Sequence, residues 1–526
     1  MRYENHLFGF HAALRRMVSG QSWPAQPLVA IVLALCLAPS GLGQSRPNPQ
    51  RKRPDPGVSA QQLIEEGDRY RKQGDNRTAL DRYNQAINLT PYNPSAHLSK
   101  GWALQNLNEH EQALLSFTEA QRLGYAEPYQ VYWSMGESYY ALNRHKEAIP
   151  ALSSAARLKP DVAEIHDSLA AAYLMTKQYA SAKQTATRAI QLNANLYRAH
   201  AVLGYANFYL ENYQEAVSAY QRALQLQPDV ADTHYMMGRS YDLLRRDREA
   251  LQAYRQALRF QTSYSADASY FMGWAHARLR ELDAAQTAFQ QTLSLNSKFA
   301  EAHRGLAQVH KQQGRYRDAV ASTRKFVELR PTDGGGYIDL SWYYSFLRLH
   351  ALAAEAGLKA IQHAPENHMG YTNLCRALND LGQSREALAR CQRALQLKPG
   401  DGETLFYLGR AHEALKQPRE ARRAFADAIA GLREYVRQNP NEGDGYYLLG
   451  NVYISNNQPR LAIDAYLTAI RLQPRFAFAR SNLGVAYLWV GDRQAALAQY
   501  RQLLDIDAAE ASKLLDRIER EKTGKR

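Results

Sequence analysis

The stretch "AEAHRGLAQVHKQQGRYRDAVASTRKFVELRP" (residues 300–331) follows the same pattern as an earlier stretch, "ADTHYMMGRSYDLLRRDREALQAYRQALRF" (residues 231–260). Each opens with a small residue and has His at the fourth position. A Leu-Ala or Met-Gly pair follows, with an aromatic residue or His three positions later, and then "DA" or "EA". The pattern recurs every 34 residues. Internal repetition therefore decides the fold.

Two positions of the repeat hold small residues along the whole chain. Position 8 is glycine in nine repeats: Gly67, Gly101, Gly136, Gly204, Gly238, Gly273, Gly409, Gly450 and Gly484. Position 20 is always alanine: Ala79, Ala113, Ala148, Ala182, Ala216, Ala250, Ala285, Ala319, Ala353, Ala387, Ala421, Ala462 and Ala496. Small residues at these places, large ones at positions 4, 7, 11 and 24, and frequent proline at position 32 resemble the tetratricopeptide repeat (TPR).

The resemblance implies an all-α fold. Counting from Ala60 gives thirteen repeats that end at Glu510, each a pair of antiparallel helices. One pair cannot bury its apolar face alone, so the pairs are expected to stack into a right-handed superhelical solenoid. Residues 402–442 contain seven extra residues, which predict a longer second helix in repeat eleven with Phe425, Leu432 and Tyr435 near one face. Residues 511–526 are predicted to form a C-terminal capping helix and a basic tail.

The N-terminus has the three parts of an export signal. Arg15 and Arg16 precede the apolar run 28–38, and small residues follow at Gly41 and Gly43. Residues 1–43 are therefore predicted to be a signal peptide, and the Pro- and Arg-rich residues 44–59 a disordered linker. The expected location is periplasmic or secreted. Three alternatives stay open: an uncleaved signal that anchors the chain, a lipoprotein modified at Cys36, and a twin-arginine signal at Arg15 and Arg16. Any membrane contact is expected through this N-terminal segment.

Composition and motifs favour binding over catalysis. The net charge is +14, and more than half of the excess lies in residues 1–57 and 511–526. The rest is thinly spread over the repeats, so no nucleic-acid partner is predicted. No Ser-His-Asp set, paired carboxylates or Cys-x-x-Cys motif is present. Gly334, Gly335 and Gly336 follow Asp333 at a repeat boundary and lack the Lys-Ser/Thr of a phosphate-binding loop. We expect no enzyme activity, no cofactor and no metal.

Two cysteines fall within one predicted helix pair. Cys375 and Cys391 occupy positions 8 and 24 of repeat ten, which face each other across the hairpin. In an exported protein they could form a disulfide, provided that the Cα atoms come within about 7 Å. The alternative is two small buried thiols, and the sequence leaves both open.

Aromatic residues predict a binding surface. Trp102, Trp274 and Trp342 are at position 9, Trp133 at position 5 and Trp489 at position 13. At 100° per residue these positions lie opposite or beside the core positions of the first helix. In the TPR family this side lines the concave groove that holds ligands. The candidate site residues are Trp102, Trp133, Tyr205, Tyr209, Tyr235, Arg239, Tyr270, Trp274, Arg304, Trp342, Phe346, Arg376, Arg410 and Trp489.

Two interpretations of this surface remain open. Large exposed aromatic residues on one face indicate an interaction surface, whereas a tight superhelix would bury them between neighbouring helices. The leading hypothesis is a non-enzymatic scaffold that binds a peptide or a partner protein in its groove. The alternative is a glycan-binding scaffold for polysaccharide export or envelope assembly, because aromatic faces also stack on sugars.

Overall fold

The computed structural model describes residues 58–522, in which twenty-seven helices and no strands are present. The predicted signal peptide, most of the linker and the last four residues lie outside this range. In chain order the helices are α1 (Ala60–Lys72), α2 (Asn76–Leu89), α3 (Pro94–Asn106), α4 (His110–Arg122), α5 (Pro128–Ala141), α6 (His145–Leu158), α7 (Ala163–Met175), α8 (Tyr179–Leu192), α9 (Tyr197–Tyr209), α10 (Tyr213–Leu226), α11 (Ala231–Leu243), α12 (Asp247–Arg259), α13 (Ser265–Arg278), α14 (Leu282–Leu295), α15 (Ala300–Gln312), α16 (Tyr316–Leu329), α17 (Gly334–Phe346), α18 (His350–His363), α19 (His368–Asp380), α20 (Ser384–Leu397), α21 (Gly402–Ala414), α22 (Pro418–Gln438), α23 (Gly443–Ser455), α24 (Pro459–Leu472), α25 (Ala477–Trp489), α26 (Arg493–Leu504) and α27 (Ala508–Lys522).

Helices α1 to α26 pair consecutively. Each odd-numbered helix packs on the even-numbered helix that follows it, and within α1–α12 and within α13–α27 that helix also packs on the next odd-numbered one. We refer to them as the first and second helices of each repeat. The chain divides into two compact units between Tyr264 and Ser265, and we call these the N-terminal and C-terminal units. The predicted all-α solenoid fold is confirmed.

Polar N-cap residues mark where some helices begin, and residues with a left-handed backbone conformation mark where the chain reverses between helices. The Asp333 side chain accepts a hydrogen bond from the Gly336 N–H, so the three glycines form the first turn of α17. Between the two helices of a repeat, one residue often takes a positive φ, such as Asn108 (61°) and Gly382 (77°). This conformation ends one helix and reverses the chain within a few residues.

Glycines at position 8 let the two helices of a repeat come close together. A Cβ added to Gly238 would lie 2.7 Å from the ring of Tyr254, and one added to Gly450 would lie 2.4 Å from the ring of Tyr466. Both tyrosine rings are buried. The ring at position 24 therefore fills the space that a side chain at position 8 would occupy, and this contact recurs along the core.

Repeat ten (368–401) replaces that contact with a covalent bond. Cys375 on α19 and Cys391 on α20 form a disulfide, with their Cα atoms 5.5 Å apart. Both residues are fully buried in the core of the C-terminal unit. Of the two arrangements that the sequence left open, the structure has the bridge.

Repeat eleven (402–442) contains a second helix, α22, of 21 residues, whereas the other second helices have 12 to 14. Phe425, Leu432 and Val436 of α22 are buried. Tyr435, which we expected on the same face, is 38% exposed and its hydroxyl donates a hydrogen bond to Glu442. The two additional turns thus extend the apolar face of α22 through Val436.

The last helix, α27, covers the apolar face of repeat thirteen (477–510). Ala511, Leu514 and Ile518 are fully buried and form a cluster with Leu488 and Leu503. The opposite side of α27 carries charged, exposed residues. This arrangement is that of a cap, with an apolar inner face and a polar outer face.

Candidate functional site

In the N-terminal unit, the predicted tyrosines pack on other rings. Tyr205 is buried and lies edge-on to Tyr220. Tyr209 stacks on Tyr179, with ring centroids 4.7 Å apart. Tyr235 is also buried and stacks on Tyr264 at 4.6 Å. For these three tyrosines, packing between helices describes the structure better than an open binding surface.

The other predicted residues of this unit are half-buried and engaged. The Trp102 indole N–H donates to the Ser134 hydroxyl at 2.8 Å. Trp133 packs against the core cluster around Leu152. Arg239 donates to the Tyr235 hydroxyl at 3.4 Å. Only the Trp102–Ser134 bond joins two repeats, and all three residues act mainly in packing within this unit.

In the C-terminal unit, three predicted residues also lie in packing contacts. Tyr270 and Trp274 contact the buried ring of Phe289 at centroid distances of 5.8 and 5.4 Å. Arg304 forms an ion pair with Asp339 at 3.1 Å. None of the three lines the cavity described next.

A cavity of about 920 Å³ lies within the C-terminal unit. Its wall comes mainly from the first helices of repeats nine to thirteen and from α27. It brings together four predicted residues: Trp342, Phe346, Arg376 and Arg410. Its volume is in the range of ligand-binding pockets. We call it the C-terminal cavity.

One end of the cavity is aromatic and is closed by residues from distant repeats. The ring centroids of Trp342 and Phe346 of α17 lie 4.1 Å apart, and the Tyr316 ring stacks on the Phe346 ring with centroids 4.9 Å apart. The ring centroid of Phe478 of α25 lies 5.3 Å from that of Phe346. The Lys311 ammonium group is 4.6 Å from the Trp342 ring centroid. The sequence predicted that Trp342 faces away from its own repeat. In the structure, neighbouring side chains of the C-terminal unit, including Lys311 and Phe346, cover much of its ring.

Lys311 also links repeat eight (300–333) to repeat twelve (443–476). Its ammonium group forms an ion pair with the Asp444 carboxylate, and both side chains are largely buried. Removing either partner of such a pair would leave the other charge largely buried and unpaired, which destabilises the folded chain. Through this pair and its contact with the Trp342 ring, Lys311 joins the aromatic end of the cavity to repeat twelve.

The opposite side of the cavity carries side-chain amides. The Asn482 amide donates to the Asn451 side-chain carbonyl at 2.8 Å, and the Tyr466 hydroxyl donates to the same oxygen at 2.7 Å. Asn379 donates to the backbone carbonyl of Tyr407 at 2.8 Å. These bonds orient the amides, which can then accept and donate hydrogen bonds with a peptide backbone.

Charged groups surround the amides. Arg410 pairs with Asp380 at 3.1 Å, and the nearby Arg348 pairs with Glu510 at 3.5 Å. Arg376 is only 5% exposed and donates to Asn373 at 3.1 Å. Its nearest carboxylate, Glu403, is 3.7 Å away. Burial raises the pKa of Glu403 to about 7, against the opposing effect of Arg376.

The amides and Asp444 were absent from the sequence-predicted site. Asn451 is at position 9 of repeat twelve, the same position as Trp342 in repeat nine, so the repeat register could have identified it. Trp489, which was predicted, is 54% exposed and does not line the cavity.

Within residues 58–522, no helix is both long and apolar enough to cross a membrane. No group of three or more His, Cys, Asp or Glu residues there could hold a metal ion.

The fold and the cavity define a class of protein, an all-α helical-repeat protein with a polar and aromatic internal site. Profiles described as TPR repeat or tetratricopeptide repeat match residues 67–108, 134–196, 197–230, 231–264, 270–334, 373–443 and 447–511. The chain belongs to the tetratricopeptide repeat family. No curated protein matches it significantly.

Several solved structures are similar at low sequence identity. MamA (residues 41 to the end) from Desulfovibrio magneticus RS-1 is 20% identical, with 33% of this chain and 97% of that chain covered and a TM-score of 0.31. The APC/C hetero-tetramer Cut9–Hcn1 is 15% identical, with coverage of 87% and 96% and a TM-score of 0.36. A tetratricopeptide repeat protein from Parabacteroides merdae is 16% identical, with coverage of 48% and 98% and a TM-score of 0.34.

Proposed function

We propose that this chain is a non-enzymatic, exported scaffold that binds an extended peptide segment of a partner protein in the C-terminal cavity. The observation that carries the proposal is the composition of the cavity wall. Oriented amides of Asn379, Asn451 and Asn482 lie beside aromatic rings and paired charges. Amides match the alternating N–H and C=O groups of a peptide backbone, which must be paired when they are buried.

The shape of the wall favours a chain-like ligand. Five consecutive first helices contribute to it, and neighbouring helix axes lie about 10 Å apart. A ligand that contacts all of them is longer than a compact small molecule. An extended peptide meets this condition, because it advances about 3.3 Å per residue.

A glycan is the alternative ligand, and the aromatic contacts make it less favoured at this site. A sugar ring stacks on an accessible aromatic face, whereas Trp342 and Phe346 are covered by Lys311, Tyr316 and Phe478. The amides of Asn379, Asn451 and Asn482 line the cavity themselves. Peptide binding through the amides therefore stays the preferred hypothesis.

Export is part of the proposal and has two supports. Residues 1–43 have the composition of a signal peptide. The Cys375–Cys391 disulfide fits an oxidising compartment, because cytosolic thiols are kept reduced. Fractionation of cells, with alkylation of cysteines before any reductant is added, tests this point. A cytoplasmic pool in which both cysteines are labelled would contradict it.

Peptide selection tests the binding site directly. Random peptides displayed on phage would be selected on the purified chain, and the affinity of selected peptides measured by fluorescence polarisation. We expect Asn482→Ala to weaken binding about tenfold, because it removes one amide and releases Asn451. Asn106→Ala, on an exposed part of α3, is the matched control and should bind normally. Equal affinities for both variants would refute the proposed site.

A further inference from the structure

The second helices of the last four repeats carry most of the net positive charge found on second helices. Helices α20, α22, α24 and α26 contain twelve arginines, no lysine and five carboxylates. The nine preceding second helices together contain fifteen basic and eleven acidic residues. All twelve arginines are exposed: Arg385, Arg390, Arg393, Arg419, Arg422, Arg423, Arg433, Arg437, Arg460, Arg471, Arg493 and Arg501. We call this set the arginine face.

The longest of these helices arranges its arginines in one stripe. At 100° per residue, the five arginines of α22 lie within about 60° of a common line along the helix. Ala426 and Ala430 lie between them on the same line, while Glu420, Asp427 and Glu434 lie to one side. The two turns that lengthen α22 supply Arg433 and Arg437, so the insertion in repeat eleven extends the stripe.

Most of these arginines are not neutralised within the protein. Of the ion pairs within residues 58–522, only that of Arg437 with Glu434, at 2.6 Å, includes a member of the arginine face. Arg433 donates to the Tyr453 hydroxyl at 2.9 Å, which leaves its charge uncompensated. The C-terminal cavity differs, because Arg410 and Arg348 are paired there. The arginine face therefore presents a net positive surface to solvent.

Apolar side chains are exposed among the arginines. On α24, Leu467 is 45% exposed and falls on the same helical line as Arg460 and Arg471, at spacings of seven and four residues. Leu461 (40%) is exposed on the same helix. Arginine mixed with exposed leucine is typical of protein surfaces that lie on a lipid headgroup layer.

We propose that the arginine face binds the surface of a membrane that contains anionic phospholipids. Arginine pairs with phosphate in a bidentate manner, which suits a layer of phosphodiester headgroups. The exposed Leu467 and Leu461 can enter the outer part of the lipid layer, whereas a linear polyanion would leave them in water. This site is separate from the C-terminal cavity, so it adds a location to the proposed scaffold and does not depend on its ligand.

Co-sedimentation with vesicles tests the proposal. The purified chain should bind vesicles of mixed phosphatidylglycerol and phosphatidylcholine, bind pure phosphatidylcholine vesicles weakly, and dissociate at high salt. The triple variant Arg419→Gln, Arg422→Gln, Arg423→Gln should lose affinity on the order of 100-fold. The matched control, Arg248→Gln, Arg255→Gln, Arg324→Gln, removes the same charge from exposed sites elsewhere and should bind nearly as well as the wild type.

Three results would overturn the proposal. One is that the triple variant binds anionic vesicles as the wild type does. Another is that both triple variants lose the same affinity, which would indicate net charge alone. The third is that the wild type does not bind anionic vesicles and instead binds a soluble polyanion such as DNA or a polyuronate. Asn482→Ala should bind vesicles normally, so failure of the peptide proposal and failure of this one are distinguishable.

Discussion

In repeat ten, the Cys375–Cys391 disulfide joins the two positions that hold a glycine and an aromatic ring in the next repeat, where Gly409 meets Phe425. A Cβ at Gly409 would be 2.5 Å from the Phe425 ring. Most repeats thus hold their helix pair together by ring packing, whereas repeat ten uses a covalent bond. Arg376 and Asn379 follow Cys375 on α19, so the bond also fixes the helix that carries part of the cavity wall.

Reduction should destabilise repeat ten. The two cysteines are 16 residues apart, and closing a loop of this size contributes about 3 kcal/mol in the chain-entropy account. We therefore expect a lower melting temperature when reductant is added, measured by circular dichroism. The variant Cys375→Gly, Cys391→Phe restores the usual contact and should melt near the oxidised wild type, with no response to reductant. A wild type that melts identically with and without reductant would contradict the structural role of the bond.

Filling the glycine positions should destabilise the repeats that use ring packing. Gly238→Ala and Gly450→Ala place a Cβ 2.7 and 2.4 Å from a buried ring, which forces the ring to move. Overpacking of this kind costs about 1–3 kcal/mol. Gly370→Ala is the control, since its nearest atoms are at 3.3 Å or more and alanine favours the helix. Urea denaturation should separate the first two variants from the third.

The repeat fold was predictable because its signal is local and occurs thirteen times. Alanine at position 20 and glycine at position 8 report close helix contacts within one repeat, and each new repeat confirms the register. The disulfide was not decided by the sequence, since position alone allows both a bridge and two thiols. The longer second helix of repeat eleven followed from counting, but the burial of Val436 in place of Tyr435 depends on how α22 packs.

The site was less predictable because it depends on contacts between distant repeats. Helical periodicity placed Trp342 and Phe346 opposite their own core, and both line the C-terminal cavity. It could not show that Tyr316 and Phe478 would cover them, since those residues come from repeats eight and thirteen. The same limit applies to Tyr209, whose ring stacks on Tyr179 of the preceding repeat. The sequence of a single repeat does not determine which side chains of other repeats will contact its outer face.

The buried Glu403 should make stability depend on pH near neutrality. Its pKa is raised to about 7 in the folded chain, above its unfolded value, mainly by burial. The folded state therefore holds this proton more tightly, so the contribution of Glu403 is present at acidic pH and is lost as pH rises through 7. We expect Glu403→Gln, which stays neutral, to gain stability relative to the wild type between pH 5 and pH 8. Thermal melting across this range measures the difference.

A matched variant separates Glu403 from the rest of the chain. Glu413→Gln removes a carboxylate from the exposed surface of the same repeat, so its melting temperature should follow that of the wild type at every pH. If the melting temperature of Glu403→Gln also follows that of the wild type at every pH, then burial does not keep the Glu403 carboxyl group protonated. Arg376, 3.7 Å away, would then be the dominant influence on its pKa.

The Lys311–Asp444 pair should control how firmly repeats twelve and thirteen are held against repeat eight. Lys311→Met leaves the Asp444 carboxylate largely buried without its partner, and we expect a loss of about 2 kcal/mol because both side chains are about one-fifth exposed. Lys325→Met removes an exposed ion pair with Glu328 and should cost less than about 1 kcal/mol. Hydrogen exchange should show faster exchange in α23 and α25 for Lys311→Met only. The double variant Lys311→Met, Asp444→Asn should recover part of the lost stability, because no unpaired charge remains. A double variant that is less stable than either single variant would contradict a direct interaction between the two side chains.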